Sequence, residues 1–212
     1  LRGQRILNNF QKRGIDLTLV QKVKNIETGF SFLLVGPANE HIVFSNRAAN
    51  DELEIRNKEL GIMGNARWLY LTSLSGGWRQ NLDKVFSLNG VKIAWNPGHR
   101  QILIGLKKLE KYFKKTTCLI VNKDEAIELV VSFKKYKIKS RVFLNEVKNL
   151  LLVLNSGGPE IVLITSGRQG ASAMAQGKIY HQPIIKEKQR ADTTGVGDAF
   201  GSAFIAGLEL YK

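Results

Sequence analysis

Eleven residues near the end of the chain concentrate its chemistry: Ala191-Asp192-Thr193-Thr194-Gly195-Val196-Gly197-Asp198-Ala199-Phe200-Gly201. Gly195 and Gly197 stand where a polar loop gives way to an apolar helical run. Bare backbone N–H groups there can face an anion, with the favourable end of a helix dipole behind them. Asp198 falls in the first turn of that helix. A carboxylate beside an anion hole is electrostatically odd unless it handles a proton, as a base toward an attacking hydroxyl. Oriented N–H donors for a transferring group and a base for the nucleophile are what phosphoryl transfer to an alcohol requires. Spacing alone fits equally a helix with a glycine-rich entry and Asp198 as its N-cap. A dinucleotide fingerprint is disfavoured, because Lys186–Asp192 (KEKQRAD) is polar and no strand leads into the glycines. No G-x-x-x-x-G-K-[ST] loop occurs anywhere in the chain.

The elements that must carry this loop show a regular order. Ile6, Leu7 and Phe10 form a helical stripe closed by Gly14. Residues 28–36 and 41–46 are β-rich runs around Pro37-Ala38-Asn39-Glu40, which predicts a hairpin. From about residue 66, short apolar strands alternate with helices. Strands are expected at Trp68–Thr72, Val91–Trp95, Cys118–Val121 and Ile161–Thr165. Helices are expected near 78–88, 123–134 and 145–155, and from Gly197 onward. One further helix should bury Ile102, Leu106, Leu109 and Phe113 and turn Lys107, Lys108, Lys111, Lys114 and Lys115 outward. Ala171–Ala175 and Lys178–His181 flank Gln176-Gly177 as a second hairpin. Such alternation predicts an α/β fold with a mainly parallel sheet covered on both faces.

The run DTTGVGDAFGSAFIAGL resembles the second signature of the ribokinase-like (PfkB) carbohydrate kinases. Other segments resemble that family in the same order: TGFSFLLVGPANEHIVFSNRAANDEL its lid hairpin, and Trp95-Asn96-Pro97-Gly98 its Asn-Pro segment. Asn122-Lys123-Asp124-Glu125 resembles its N-x-x-E motif, and Thr165-Ser166-Gly167-Arg168-Gln169-Gly170 its T-x-G-x-x-G nucleotide segment. The resemblance implies a ribokinase-like three-layer sandwich over residues 1–212, a single domain incomplete at both ends, with residues 28–46 in a small β lid. It implies an ATP-dependent kinase acting on a hydroxyl of a sugar, sugar phosphate or nucleoside, or alternatively a catalytically silent relative that binds a nucleotide or sugar.

Residue by residue, the resemblance makes Asp198 the base and the amides of Gly195, Val196 and Gly197 the anion hole. Val196 departs from the small residue usual there. Asn122 and Glu125 would organise Mg²⁺ near the phosphates, Glu125 through water. Thr165, Gly167 and Gly170 would line the nucleotide site, and carbonyls of Asp192 and Thr194 would hold a monovalent cation, K⁺. Without the resemblance, Asp124 and Glu125 are simply good helix starters and the Thr165–Gly170 segment a tight turn. The family's acidic sugar-binding strand and Gly-Gly clamp have no counterpart upstream, so the acceptor is unnamed and this 212-residue chain is expected to be weak or inactive alone. A homodimer through the lid is the expected assembly.

Composition bounds the alternatives. The 32 Lys+Arg against 18 Asp+Glu leave a net charge of +14, with 43% hydrophobic residues, which is ordinary for a folded protein. Residues 101–150 hold 12 Lys/Arg and 5 Asp/Glu, a net of +7, yet no nucleic-acid motif accompanies them, so no specific nucleic-acid partner is expected. The three histidines (His41, His99, His181) share no metal-ligand spacing, and the single Cys118 lies in an apolar strand and is expected in the core. No apolar run approaches the roughly 20 residues of a membrane span, so a cytoplasmic protein is expected.

Overall fold

The structure is a computed structural model describing residues 2–36, 41–133, 140–185 and 194–211. It divides into two compact units, one of Leu1–Gly64 with Leu74–Leu88, the other of Asn65–Ser73 with Asn89–Lys212.

The first unit begins with α1 (Arg2–Lys12), and Gly14 leaves it at φ 70°. The expected hairpin follows as β1 (Phe30–Val35) and β2 (His41–Asn46), antiparallel with Phe32 opposite Phe44 and Leu34 opposite Ile42. Its turn lies outside the described residues. Phe32, Leu33, Leu34, Ile42, Val43 and Phe44 are exposed by 44–61%, so both faces of this two-stranded sheet are bare and apolar. After a short 3₁₀ turn (Ala48–Glu52) comes α2 (Asn57–Met63).

The second unit's sheet starts with β3 (Trp68–Leu71), after which the chain returns to the first unit for α3 (Trp78–Val85). Buried Asn81 lashes α3 to the segment before α2. Its Nδ2 donates to Leu53 O at 2.8 Å, and its Oδ1 accepts Ile55 N–H at 2.9 Å.

The remaining elements belong to the second unit. They are β4 (Lys92–Trp95), α4 (His99–Ile102), α5 (Leu106–Phe113), β5 (Cys118–Asn122), α6 (Lys123–Ser132), α7 (Arg141–Asn145), α8 (Val147–Ser156), β6 (Ile161–Thr165), β7 (Ala171–Ala175), β8 (Lys178–Gln182) and α9 (Val196–Leu210). The six strands lie in the order β3-β4-β5-β6-β7-β8. The first four are parallel and the last two antiparallel, joined at Gln176 (φ 50°) and Gly177 (φ 75°), where two left-handed residues suit a tight hairpin.

Strand alternation divides the core into two faces. Ala94, Cys118, Ile120, Leu163 and Ala171 pack with Ile205 of α9, and Trp68, Tyr70 and Phe204 close around them. Trp95, 1% exposed, points the other way and meets Tyr112 and Phe113 of α5 edge-on, at ring separations of 5.9 and 5.7 Å. The α/β three-layer expectation holds. Cys118 is fully buried as expected, and burial pushes its thiol up to about 12.

One expected helix is two. Ile102, Leu106, Leu109 and Phe113 are all buried as the spacing required, but α4 ends at Ile102 and α5 restarts after Gly105, which stands at φ 81°, ψ 155°. Ser132 Oγ accepts Leu106 N–H at 2.9 Å and so serves the first turn of α5 from α6.

Candidate active site

Every site residue expected from the sequence belongs to the second unit. Parallel strands bring their carboxyl ends to one edge, and there the backbone groups that leave the ladder need new partners. Asn96, the residue after β4, supplies several. Its N–H donates to Leu71 O and its Nδ2 to Ile120 O, both at 2.8 Å, tying the ends of β3, β4 and β5 together.

Asn122 and Glu125 occupy the same edge, at the junction of β5 and α6. Asn122 Oδ1 accepts Glu125 N–H and Glu125 Oε2 accepts Asn122 N–H, each at 2.9 Å, which makes the N-x-x-E segment a capping box. Asn122 also stands directly opposite Thr165, the last residue of β6. Burial pushes the Glu125 carboxyl above its usual range, Glu128 and Asp124 add to the rise, and the Asn122 N–H bond and His99 oppose it.

Two substitutions separate cap from charge. Asn122→Ala is expected to cost about 1 kcal/mol in denaturant unfolding. Glu125→Gln keeps the box. The folded state raises the Glu125 pKa, so its unfavourable contribution grows as pH rises through the carboxylate range and is complete at pH 7. The Gln variant should therefore be at least as stable as the parent at pH 7, with the difference vanishing on acidification. A melting series from pH 4 to pH 7 (roughly the carboxylate range and above) checks the sign.

Past Thr165, a 3₁₀ turn (Gly167–Gln169) folds the chain back, with Gly167 at φ 53° and Gly170 at φ 86°, ψ −142°. Gly170 O accepts Ser166 N–H at 2.8 Å. A Cβ on Gly170 would run into Gln182 O and lie 2.8 Å from Pro183 C. Ser166 Oγ is buried and finds no hydrogen-bond partner among the described residues.

The glycine-rich loop meets α9 at Gly195, the N-cap, with φ 77°, ψ 0° and no side-chain cap. Asp198 is therefore not the N-cap, which removes the capping alternative; it stands exposed in the first turn. The first hydrogen bond of the helix runs from Ala199 N–H to Gly195 O at 3.0 Å. The amides of Val196 and Gly197 precede it and have no acceptor within the helix. The side chain at Val196 is 56% exposed, so its bulk meets no wall. Thr194 lies in the turn before Gly195, whereas Asp192 lies outside the described residues.

The direction of α9 is set by its contacts with β3. Glu209, near its end, accepts Arg67 Nη1–H at 2.7 Å and Trp68 Nε1–H at 3.1 Å, at the start of the strand. Gly201, near its beginning, lies against the Tyr70 ring near the end of the strand. The helix thus runs antiparallel to β3 and presents its N-terminus, with Asp198, at the edge that holds Asn96, Asn122 and Thr165. Tyr70 drew no attention in the sequence. Its hydroxyl is buried without a partner among the described residues, and burial first, then the charge of Asp198, pushes it above the usual phenol range. Alternation in β3 marks it only as inward-facing.

A helix N-terminus with unused amides and an exposed carboxylate thus shares a sheet edge with a capped Asn-Glu pair and a glycine turn. The model of the pfkB family carbohydrate kinases matches residues 2–210. The chain belongs to that family. Ribokinase from Haemophilus influenzae is 29% identical over 97% of the chain, and the chain spans 64% of that relative's length. Among solved structures, ribokinase from Cryptococcus neoformans in complex with ADP superposes over 98% of the chain and 67% of its own, with a TM-score of 0.77 at 20% identity. Burkholderia thailandensis nucleoside kinase in complex with inosine gives a TM-score of 0.74 at 18% identity, over 97% of this chain and 62% of that one. These likenesses establish the ribokinase-like fold of this pfkB-family chain.

Proposed function

We propose that the protein belongs to an ATP-dependent kinase that transfers the γ-phosphoryl group to a hydroxyl of a sugar, sugar phosphate or nucleoside, within one ribokinase-like domain. The observation that carries this is the entry of α9: Gly195 in the left-handed region, the amides of Val196 and Gly197 outside the helical ladder, and Asp198 exposed one turn in. Asp198 takes the proton of the attacking hydroxyl, and the amides stabilise charge on the transferring group. The nucleotide lies along the edge formed by Thr165, Gly167 and Gly170, where the absence of side chains lets phosphates approach backbone. The relatives named ribokinase and nucleoside kinase, and the ADP and inosine in solved structures, support this acceptor and donor class.

Among the described residues no group of three or more His, Cys, Asp or Glu could cage a metal. That suits Mg²⁺, which keeps several waters and leans on substrate phosphates, with Glu125 as an outer, water-mediated anchor. The carbonyls of Asp192 and Thr194 are the proposed K⁺ ligands. Residues 28–46 are the proposed β lid. The bare faces of β1 and β2 fit a second copy's hairpin, because an isolated two-stranded sheet is marginal alone. No described helix is long and apolar enough to cross a membrane, and the buried thiol of Cys118 is at home in a reducing cytoplasm.

Calorimetry with Mg-ATP, run beside a phosphate-transfer assay on ribose, ribose 1-phosphate and inosine, tests the proposal. Saturable ATP binding, with transfer to one of the three that is weak in this 212-residue chain, is the expected result. ATP binding with no transfer to any acceptor would favour the silent binding protein, and no ATP binding would defeat both.

A further inference from the structure

The contacts between β3 and α9 form a clamp with two jaws. At the start of the strand, the Trp68 indole N–H and the Arg67 guanidinium both reach the Glu209 carboxylate, whose side chain is only 14% exposed. Near the end of the strand, the Tyr70 ring lies under Gly201, which is buried; a Cβ there would collide with the Tyr70 hydroxyl and stand 2.9 Å from Cζ and 3.4 Å from Ile120 Cδ1. Gly201 and Glu209 are eight residues apart, about 12 Å along a helix. The two jaws therefore fix both where α9 sits along β3 and how it is rotated. Asp198 is three residues before Gly201, on the same helical face.

Resting on the assignment of Asp198 as the base, we infer that Tyr70 and Glu209 are positioning residues, which hold α9 in one axial and rotational setting on β3 so that Asp198 and the Gly195–Gly197 amides meet the sheet edge at a fixed place. Gly201 is the complement of Tyr70, small because the ring occupies the space of a side chain. The Tyr70 hydroxyl contributes bulk and no hydrogen bond among the described residues. A phenylalanine at position 70 should therefore preserve this jaw of the clamp, and a larger residue at 201 should break it unless the ring is shortened as well, because Cζ alone stands 2.9 Å from the added Cβ. At the other jaw, an amide at 209 keeps an acceptor for Trp68, whereas alanine leaves the indole N–H without one.

Amide hydrogen exchange at Ala199–Ser202 in the 212-residue chain tests this without any activity. Gly201→Ala is expected to speed exchange there by about tenfold, and adding Tyr70→Leu, which removes Cζ with the hydroxyl, to return it to within about twofold of the parent. Tyr70→Phe alone should leave exchange unchanged. Glu209→Ala should speed it and Glu209→Gln should not, which keeps the test alive if Gly201→Ala does not fold. Unchanged exchange in both Gly201→Ala and Glu209→Ala, or fast exchange in Gly201→Ala that Tyr70→Leu does not reverse, would overturn the clamp. A second readout reports on Asp198 itself: the Tyr70 ring carbon should titrate at lower pH in Asp198→Asn than in the parent, because the carboxylate charge opposes tyrosinate. Identical titrations would show that the clamp does not carry Asp198 toward Tyr70. Full phosphoryl transfer by Asp198→Asn would instead remove the kinase assignment while leaving the exchange results to decide the clamp.

Discussion

Asp198→Asn is expected to lower phosphoryl transfer by about 10²–10⁴-fold while ATP still binds. The substitution keeps the shape of the side chain and removes only its ability to take a proton. It should not disturb the helix, because Gly195 is the N-cap and no side chain caps α9. It also removes a negative charge from beside the amides proposed to face the phosphates, so nucleotide affinity should hold or rise slightly. Release of ADP in the presence of the best acceptor, set against calorimetry with ATP, separates the two effects. Retained turnover would mean that the proton goes elsewhere. Loss of both turnover and binding would mean that Asp198 anchors the nucleotide instead of acting as its base.

Gly170→Ala is expected to be the most damaging single methyl in the candidate site. Gly170 stands at φ 86°, ψ −142°, a region essentially reserved for glycine, and forcing alanine into it costs about 1–3 kcal/mol. The added Cβ also meets backbone, Gln182 O and Pro183 C, and not the yielding end of a side chain. Overpacking of this kind costs about 1–3 kcal/mol more. The sum is a large part of the roughly 5–15 kcal/mol that holds a typical domain together. The turn cannot open without pulling Ser166 N–H from Gly170 O or moving the end of β8. Chemical denaturation should show the loss directly, and ATP affinity should fall with it because Thr165 and Gly167 lie on the same turn. A variant with parental stability and affinity would show that the turn is not rigid and does not shape the nucleotide site.

Much of this molecule was legible before any coordinate. β5 and β6 fell within a residue of expectation because apolar, β-branched runs leave the backbone few choices, and the β7–β8 hairpin because Gln176-Gly177 sets its turn. Asn122 and Glu125 are spaced for a capping box, and their geometry follows from that spacing alone. Gly195-Val196-Gly197-Asp198 likewise placed a helix start and a carboxylate in its first turn. The break at Gly105 escaped because the burial pattern continues across it: Ile102 and Leu106 are both buried whether or not the helix is continuous.

What the sequence determined by itself is local: where strands and helices start, which glycines turn the chain, and which side chains cap their own neighbours. Tertiary structure decided which edge those pieces share and what holds them there. Trp68 and Glu209 are 141 positions apart, and nothing in either segment announces the other. Tyr70 reads as one more inward strand residue until α9 lies across it with a glycine over its hydroxyl. The physical reason is that backbone preferences act over a few residues, whereas burial depends on every element that packs against a group. The chemistry of the loop was visible in eleven residues; its position was not.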